Sequence, residues 1–174
     1  MNILKKIRIK FYKRIGIAFL NRFLAGTSCF KYKRHLLRCA GMKIGKNTKI
    51  VGPIFITANV IIGDNCWIGA FFKATGNGNV IIGNCVDIAP EVTISTGSHE
   101  IGNYSRRAGN GMNLDIKIED GCWICSRACL SNGVTIRNGT VVAAGAVVVK
   151  TFEENCLLAG VPASPKKKYQ KLEK

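Results

Sequence analysis

An aliphatic residue returns at every sixth position through most of this chain: Ile44, Ile50, Ile56, Ile62 and Ile68, then Ile82, Ile88 and Ile94, then Ile118, Ile124, Leu130, Ile136, Val142 and Val148. A unit this short cannot bury its own apolar face, so it must stack on copies of itself, which makes a solenoid the architecture to expect. Two residues before each aliphatic sits a small or apolar partner, as at Val60, Cys66, Val86, Val92, Cys122, Val134, Thr140 and Ala146, while Gly, Asn, Asp and Ser gather between. The repeat is therefore a short strand followed by a turn. Three strands per coil predict a triangular parallel β-helix with the aliphatics in its bore. Each buried Ile then contributes roughly 1.5–3 kcal/mol by leaving water. An ordinary parallel sheet would need crossover connections, and no helical segments separate these strands.

The length of 174 residues implies one domain with appended ends, and a hydrophobic content of 47% is enough for a proper core. The formal charge of +16 suggests a nucleic-acid binder until it is divided along the chain. Residues 1–43 hold twelve Lys and Arg and no acid, residues 44–165 hold nine of each sign, and residues 166–174 hold five bases and Glu173. The solenoid is neutral and the excess lies at its ends. With no recognition motif in the neutral part, nucleic acid is not an expected partner.

In the first segment Leu4, Ile7, Phe11, Ile15 and Ala18 follow helical spacing, and Lys5, Lys6, Arg8, Lys10, Lys13 and Arg14 mostly fill other faces. Two readings of this basic amphipathic helix are open. It caps the exposed end of the solenoid, or residues 1–24 lie on an anionic membrane surface, where each basic residue adds about 1 kcal/mol. One helix could do both. A second short helix is expected near Tyr32 to Cys39, with Gly41 as its stop. No run reaches the eighteen apolar residues of a membrane span, and no secretion signal is evident, so the expected location is the cytoplasm.

Eight cysteines fit that compartment as free thiols. Cys66 and Cys122 occupy inward repeat positions and read as core filler. Cys122, Cys125 and Cys129 have a spacing that invites a metal reading. Residues three apart in a hexad straddle a corner, however, and no second pair with zinc-ligand spacing appears; no metal is expected.

The period breaks once in a large way. Between Ile94 and Ile118 the hexad positions would be Glu100, Arg106 and Met112, none of which belongs in the bore. The segment 95–117 is thus an extruded loop, and it carries the solenoid's one histidine, His99. Function usually sits on loops held by a rigid scaffold. A smaller interruption from Thr75 to Asn79 adds two residues and predicts a bulged turn.

The hexads, Thr96-Gly97-Ser98-His99, Asp120-Gly121-Cys122-Trp123-Ile124, Asn132-Gly133-Val134-Thr135-Ile136 and Ala159-Gly160-Val161-Pro162-Ala163 occur in an order and spacing that resembles the hexapeptide-repeat acetyltransferases, above all the colanic acid, capsule and O-antigen O-acetyltransferases. The resemblance covers roughly Ile44 to Lys168. It implies a left-handed β-helix, a homotrimer, and sites shared between neighbouring subunits with acetyl-coenzyme A in the groove between them. His99 matches the family's catalytic histidine. Ser126 and Ala144 fall where backbone meets the pantetheine arm, Val149 and Lys150 where a Thr-Lys pair usually stands, and Lys167 where a late basic residue meets the phosphates. Departures are Val149 for Thr, Cys125 for a wall glycine, and Ser164 for Arg or Lys, with Lys166 and Lys168 beside it.

The chemistry follows from the residues as well. A sugar hydroxyl attacks a thioester slowly unless a base removes its proton as the bond forms, and imidazole is the side chain best suited to this near neutral pH. His99 is the expected base and Glu100 a candidate to orient it. The resemblance further implies a backbone N–H at Cys125 or Ser126 as the oxyanion donor, in keeping with the general value of fixed donors. Trp123 is a candidate groove residue, though it and Trp67 could equally cover a neighbouring coil, and Arg106 and Arg107 could meet an anionic acceptor. The reading is therefore acetyl transfer to a saccharide hydroxyl, on a surface-polysaccharide unit carried by a lipid. N-acetylation of an amino sugar, serine acetylation, and a noncatalytic repeat scaffold are the alternatives. Zinc hydratase chemistry on the same fold would need three histidines, and the chain has His35 and His99.

Overall fold

The computed structural model describes residues 3–170, with side chains from residue 11 onward. Two helices, α1 (Ile3–Phe23) and α2 (Phe30–Cys39), precede the solenoid. Its first coil is β1 (Lys43–Ile44), β2 (Lys49–Ile50) and β3 (Ile54–Ile56), and its second is β4 (Asn59–Ile62), β5 (Trp67–Ile68) and β6 (Phe72–Thr75). The third, β7 (Asn79–Ile82), β8 (Asp87–Ile88) and β9 (Thr93–Ser95), is followed by a hairpin of β10 (Gly97–Ile101) and β11 (Ala108–Asn113). Two more coils follow, β12 (Ile116–Ile118), β13 (Trp123–Ile124) and β14 (Cys129–Leu130), then β15 (Thr135–Ile136), β16 (Val141–Val142) and β17 (Val147–Val148). The chain ends in β18 (Cys156–Gly160) and β19 (Ala163–Lys168), an antiparallel pair.

Successive strands go to successive sides. The first side stacks β1-β4-β7-β12-β15, the second β2-β5-β8-β13-β16-β18-β19, and the third β3-β6-β9-β14-β17. Every residue of the sixth-position file is buried, and so are its partners two residues earlier. The period thus reads out as three flat walls around one continuous core. Asn47 meets Asn65 one coil of 18 residues later, while Asn59 meets Asn79 at 20, the two extra residues lying in the turn after Thr75. Across the hairpin the spacing becomes 36, one coil's worth of chain having left the wall.

The first coil has no coil beneath it, so the inward-stacking carbonyls of its edge need donors. The helices supply them. Arg38 donates from Nε and Nη2 to the carbonyls of Ile44 and Gly45, both at 2.8 Å, and Arg34 donates to Thr48 at 2.9 Å. Lys13 donates to the Ala58 carbonyl. The Asn21 carboxamide acts as a missing strand: its Nδ2 donates to the Ile54 carbonyl and its Oδ1 accepts from the Ile54 N–H, each at 2.8 Å. Ile17, Leu20 and Leu37 close the apolar core from the same side. Lys33 is fully buried, donates to the Gly26 carbonyl, and has its pKa pushed down by burial. Much of the basic character of this segment is therefore capping equipment.

One expectation needs correction. The face of α1 that packs is Gly16, Ile17, Leu20 and Leu24, whereas Phe11, Ile15 and Ala18 of the anticipated apolar stripe are exposed. Leu4 and Ile7 of that stripe lie outside the described side chains. The packed face is narrower because backbone carbonyls, more than apolar surface, are what this end of the solenoid presents. Among the described residues no helix is long and apolar enough to cross a membrane.

Cys66 and Cys122 point into the bore, and burial pushes the Cys122 thiol up to about 11. Cys125 sits at a corner and Cys129 lies on the third side in register with Thr93 and Val147, so the three closely spaced cysteines diverge. Among the described residues no group of three His, Cys, Asp or Glu could hold a metal ion.

Candidate active site

The segment that leaves the wall is an ordered antiparallel hairpin rather than an irregular loop, and Ser95, Ile116 and Lys117 at its edges still belong to the wall. Two irregularities hold each other at its base. The Asn113 carboxamide accepts from the Asn77 N–H at 2.9 Å, and Asp115 accepts from both the backbone N–H and the side chain of Asn79 at 2.8 Å. Thr96, fully buried, accepts from the Gly78 N–H and donates to the Thr75 carbonyl. Gly76 makes this close approach possible: its φ is +103°, and a Cβ there would stand 2.1 Å from Thr96 Oγ1. The two-residue insertion in the second coil is thus the socket in which the hairpin is seated.

His99 sits in the middle of β10 opposite Gly111, exposed, with its Nδ1 2.9 Å from the carbonyl of Gly109. A carbonyl only accepts, so Nδ1 carries a proton, and in the neutral ring Nε2 then presents the lone pair. That tautomer is the one a general base needs. Glu100, the residue expected to orient the ring, is engaged elsewhere: it lies where the hairpin register shifts between His99 and Ile101, and its carboxylate accepts from Asn110 at 3.1 Å. The orienting group is a backbone carbonyl across the hairpin.

The other anticipated site residues divide among four places. Cys125 and Ser126 lie at the corner between the second and third sides, with Ala144 one coil further on at the same corner. The Cys125 N–H donates to the Val142 carbonyl at 2.9 Å and is used up in the wall, which leaves Ser126 as the amide of that pair without a wall partner. Val149 and Lys150 follow the third side at the corner from which the hairpin springs; Lys150 Nζ lies 5.4 Å over the Phe152 ring. Lys167 pairs with Leu157 on the second side, its Nζ 5.4 Å over the Tyr169 ring. Trp123 stands exposed on that side between Asp87 and Val141, whereas Trp67 is covered by Phe30 of α2. Arg106 and Arg107 are exposed near the hairpin tip, and Arg107 donates to the Gly102 carbonyl at 3.4 Å. His99 and Ser126 therefore stand at different corners of one prism.

A groove of about 640 Å³ runs beside the second corner, between Asn21, Phe55, Phe71, Lys73, Glu91 and Thr93. Arg127 pairs with Glu91 at its edge, and that hydrogen bond and charge hold the Glu91 carboxyl below its ordinary range. The sequence reading missed this groove and the hairpin socket. The nearest signals were the outward aromatics Phe55 on β3 and Phe71 in the turn before β6, and the density of Asn and Asp around residues 77–79 and 113–115.

No protein-family model matches the sequence. Among solved structures, a hexapeptide-repeat acetyltransferase of Vibrio cholerae complexed with acetyl-coenzyme A superposes with a TM-score of 0.79 at 23% identity, over 97% of this chain and 91% of that one. Over 136 residues the chain is 32% identical to the Escherichia coli K12 protein WcaF, whose name provisionally assigns it to colanic acid biosynthesis as an acetyltransferase; the match spans 77% of this chain and 73% of WcaF. This chain belongs to the hexapeptide-repeat acetyltransferases. Its fold is accordingly their left-handed β-helix, with two short helices before the first coil. Galactoside O-acetyltransferase of Escherichia coli K12 is 32% identical over 121 residues, but the chain spans only 60% of that relative. A maltose O-acetyltransferase from Clostridium difficile gives a TM-score of 0.81 at 24% identity, covering 98% of this chain and 90% of its own. Membership in this family turns the exposed His99 lone pair into the first residue to test.

Proposed function

We propose that this protein moves the acetyl group of acetyl-coenzyme A onto a hydroxyl of a saccharide, with His99 as the general base. The observation that carries the reading is the hydrogen bond from His99 Nδ1–H to the Gly109 carbonyl, which leaves Nε2 free on a hairpin seated by buried and bidentate contacts. In the reaction the acceptor hydroxyl gives its proton to Nε2 as its oxygen bonds to the thioester carbonyl. The tetrahedral oxyanion takes a hydrogen bond from the Ser126 N–H. Collapse breaks the carbon–sulfur bond, and the Nε2 proton passes to the departing thiolate, giving an acetyl ester and coenzyme A. No acyl-enzyme forms, and positioned proton transfer of this kind is worth about 10²–10⁴-fold.

His99 and Ser126 occupy different corners of one prism, so a complete site takes His99 from one copy and Ser126 and Ala144 from the next. A closed homotrimer gives three such sites. Val149, Lys150 and Lys167 are then the contacts for the coenzyme from the two sides, and Lys166 and Lys168 add positive charge for its phosphates. The groove lined by Phe55, Phe71 and Lys73, together with Trp123, Arg106 and Arg107, is suited to a sugar that has apolar ring faces and carries negative charge. The acceptor we favour is a surface-polysaccharide unit on a lipid carrier, met at the cytoplasmic side of the membrane; the identity to WcaF supports that class.

The test is acetyl transfer from radiolabelled acetyl-coenzyme A to a panel of neutral and acidic oligosaccharides, with the product located by mass spectrometry. Ester formation that disappears in His99→Ala is the expected result. Label found on an amine, or transfer undiminished in His99→Ala, would overturn the assignment.

A further inference from the structure

We infer that the outward face of α1 docks on an anionic lipid surface. Phe11, Ile15, Phe19 and Phe23 are spaced by four, fall along one line of the helix, and are 60%, 50%, 47% and 66% exposed. The middle of the row, Ile15 and Phe19, faces away from Ile17, which is sealed into the core with Leu20. Single exposed apolar residues are ordinary, but a continuous row of four on one helix calls for something to cover it.

The charge around the row selects what covers it. Lys13, Arg34 and Arg38 are occupied by the carbonyls of the first coil, whereas Arg14 and Arg22 are exposed on α1 and Arg22 lies 5.6 Å over the Phe23 ring. Lys5, Lys6, Arg8 and Lys10 fall on the first turns of the same helix, and residues 1–43 hold no acid at all. Aromatic rings in the headgroup layer and cations against its phosphates are the two attractions that hold a surface helix on an anionic bilayer. The position in the fold suits a flat partner as well. Since α1 caps the open end of the prism, a trimer with its prisms side by side would carry three such rows at one end, and three weak contacts would act together. That last step rests on the proposed trimer; the row itself does not.

Full-length protein is to be floated with vesicles of phosphatidylcholine containing phosphatidylglycerol, and with phosphatidylcholine alone. The comparison variant carries Phe11→Ser, Ile15→Ser, Phe19→Ser and Phe23→Ser together, with its mass followed by light scattering and acetyl transfer to a soluble acceptor as the control for folding. We expect wild-type protein to float with the anionic vesicles, a loss of about tenfold or more in the variant, and weakened binding at high salt. Wild-type protein remaining below the vesicles overturns the inference. So does a variant that falls apart into smaller species, because the row is then a subunit contact. A wild-type monomer that still floats leaves the docking face standing and removes the trimer alone, so the two readings fail separately.

Discussion

His99 Nδ1 lies 2.9 Å from the carbonyl oxygen of Gly109, across the hairpin and ten residues on. The contact sets the tautomer without any carboxylate, so the ring orientation depends on hairpin register rather than on a charged neighbour. Removing the imidazole should lower kcat by about 10²–10⁴-fold with little change in coenzyme affinity. Replacing Glu100 by Gln should leave the rate within a few-fold, because its carboxylate bonds to Asn110. Steady-state kinetics of His99→Ala and Glu100→Gln separate the two roles; equal losses in both would return the orienting task to the carboxylate.

Asp115 couples the hairpin base to Asn79, and the hydrogen bonds from the Asn79 side chain and backbone hold its carboxyl below the ordinary range. A carboxyl whose pKa is lower folded than unfolded stabilises the fold fully above the unfolded value, and that contribution fades as pH falls through the lower, folded one. Protection of residues 97–113 against hydrogen exchange, taken relative to the intrinsic rate at each pH, should therefore fall in acid more than protection of the walls. Asp115→Ala should show the faster exchange already at neutral pH. Exchange in the hairpin that tracks the walls at every pH would show that Asp115 does not fasten it.

Most of the solenoid could be read from residue order because a buried file obeys one rule, and that rule repeats at Ile44, Ile88 and Val148 alike. His99 stood out for the opposite reason, being where the rule stopped. What escaped the reading was everything made between distant coils. Asn113 and Asp115 mean nothing alone; they matter because eighteen extra residues bring them under Asn77 and Asn79. Glu100 looked like an orienting group by adjacency, but it falls in the register shift of the hairpin and its carboxylate bonds to Asn110. The α1 stripe was seen but its direction was left open between capping and a membrane surface, since helical spacing identifies a face without saying which way it turns. The actual inner face is set by Asn21 and Lys13 reaching carbonyls that sequence periodicity does not register.

Gly76 is the tightest point of the socket. Gly76→Ala would put a side chain at φ +103° and a Cβ 2.8 Å from the Gly97 N atom as well as against Thr96. Strain of this kind costs roughly 1–3 kcal/mol, and the backbone neighbour cannot rotate aside. The expected outcome is a lower melting temperature with a larger fractional loss of transfer than of coenzyme binding. Gly145→Ala is the useful contrast: its φ is +68°, but nothing lies within 4 Å of its Cβ. If the two variants lose activity equally, crowding at the socket is not what matters.

The Asn21 carboxamide satisfies both polar groups of Ile54 at the open edge of β3. Asn21→Ala leaves a donor and an acceptor without their partners at a part-buried edge, a change worth about 1–3 kcal/mol. Asn21→Asp keeps the acceptor and loses the donor, and should fall between. Chemical denaturation of the three proteins checks the order. A wild-type-like Asn21→Ala would mean that water replaces the amide without cost and that the cap is held by its other polar contacts and by Ile17, Leu20 and Leu37.

The proposed sharing of the site between copies has a quantitative consequence. Ser126→Pro removes the one amide hydrogen proposed for the oxyanion, and His99→Ala removes the base, so each protein alone should be nearly inactive. In a three-membered ring where every site takes His99 from one subunit and Ser126 from its neighbour, any assembly containing both variants has one intact site of its three, because the order around the ring passes from one variant to the other in the required direction once. Co-expression with two different tags, followed by tandem purification of mixed assemblies, should recover activity of that order. The recovery requires that Ser126→Pro assembles, which the mass of the purified mixture reports directly. Mixed assemblies of full size with no more activity than their parents would mean that both groups act within one chain, and the two-corner arrangement would have to be abandoned.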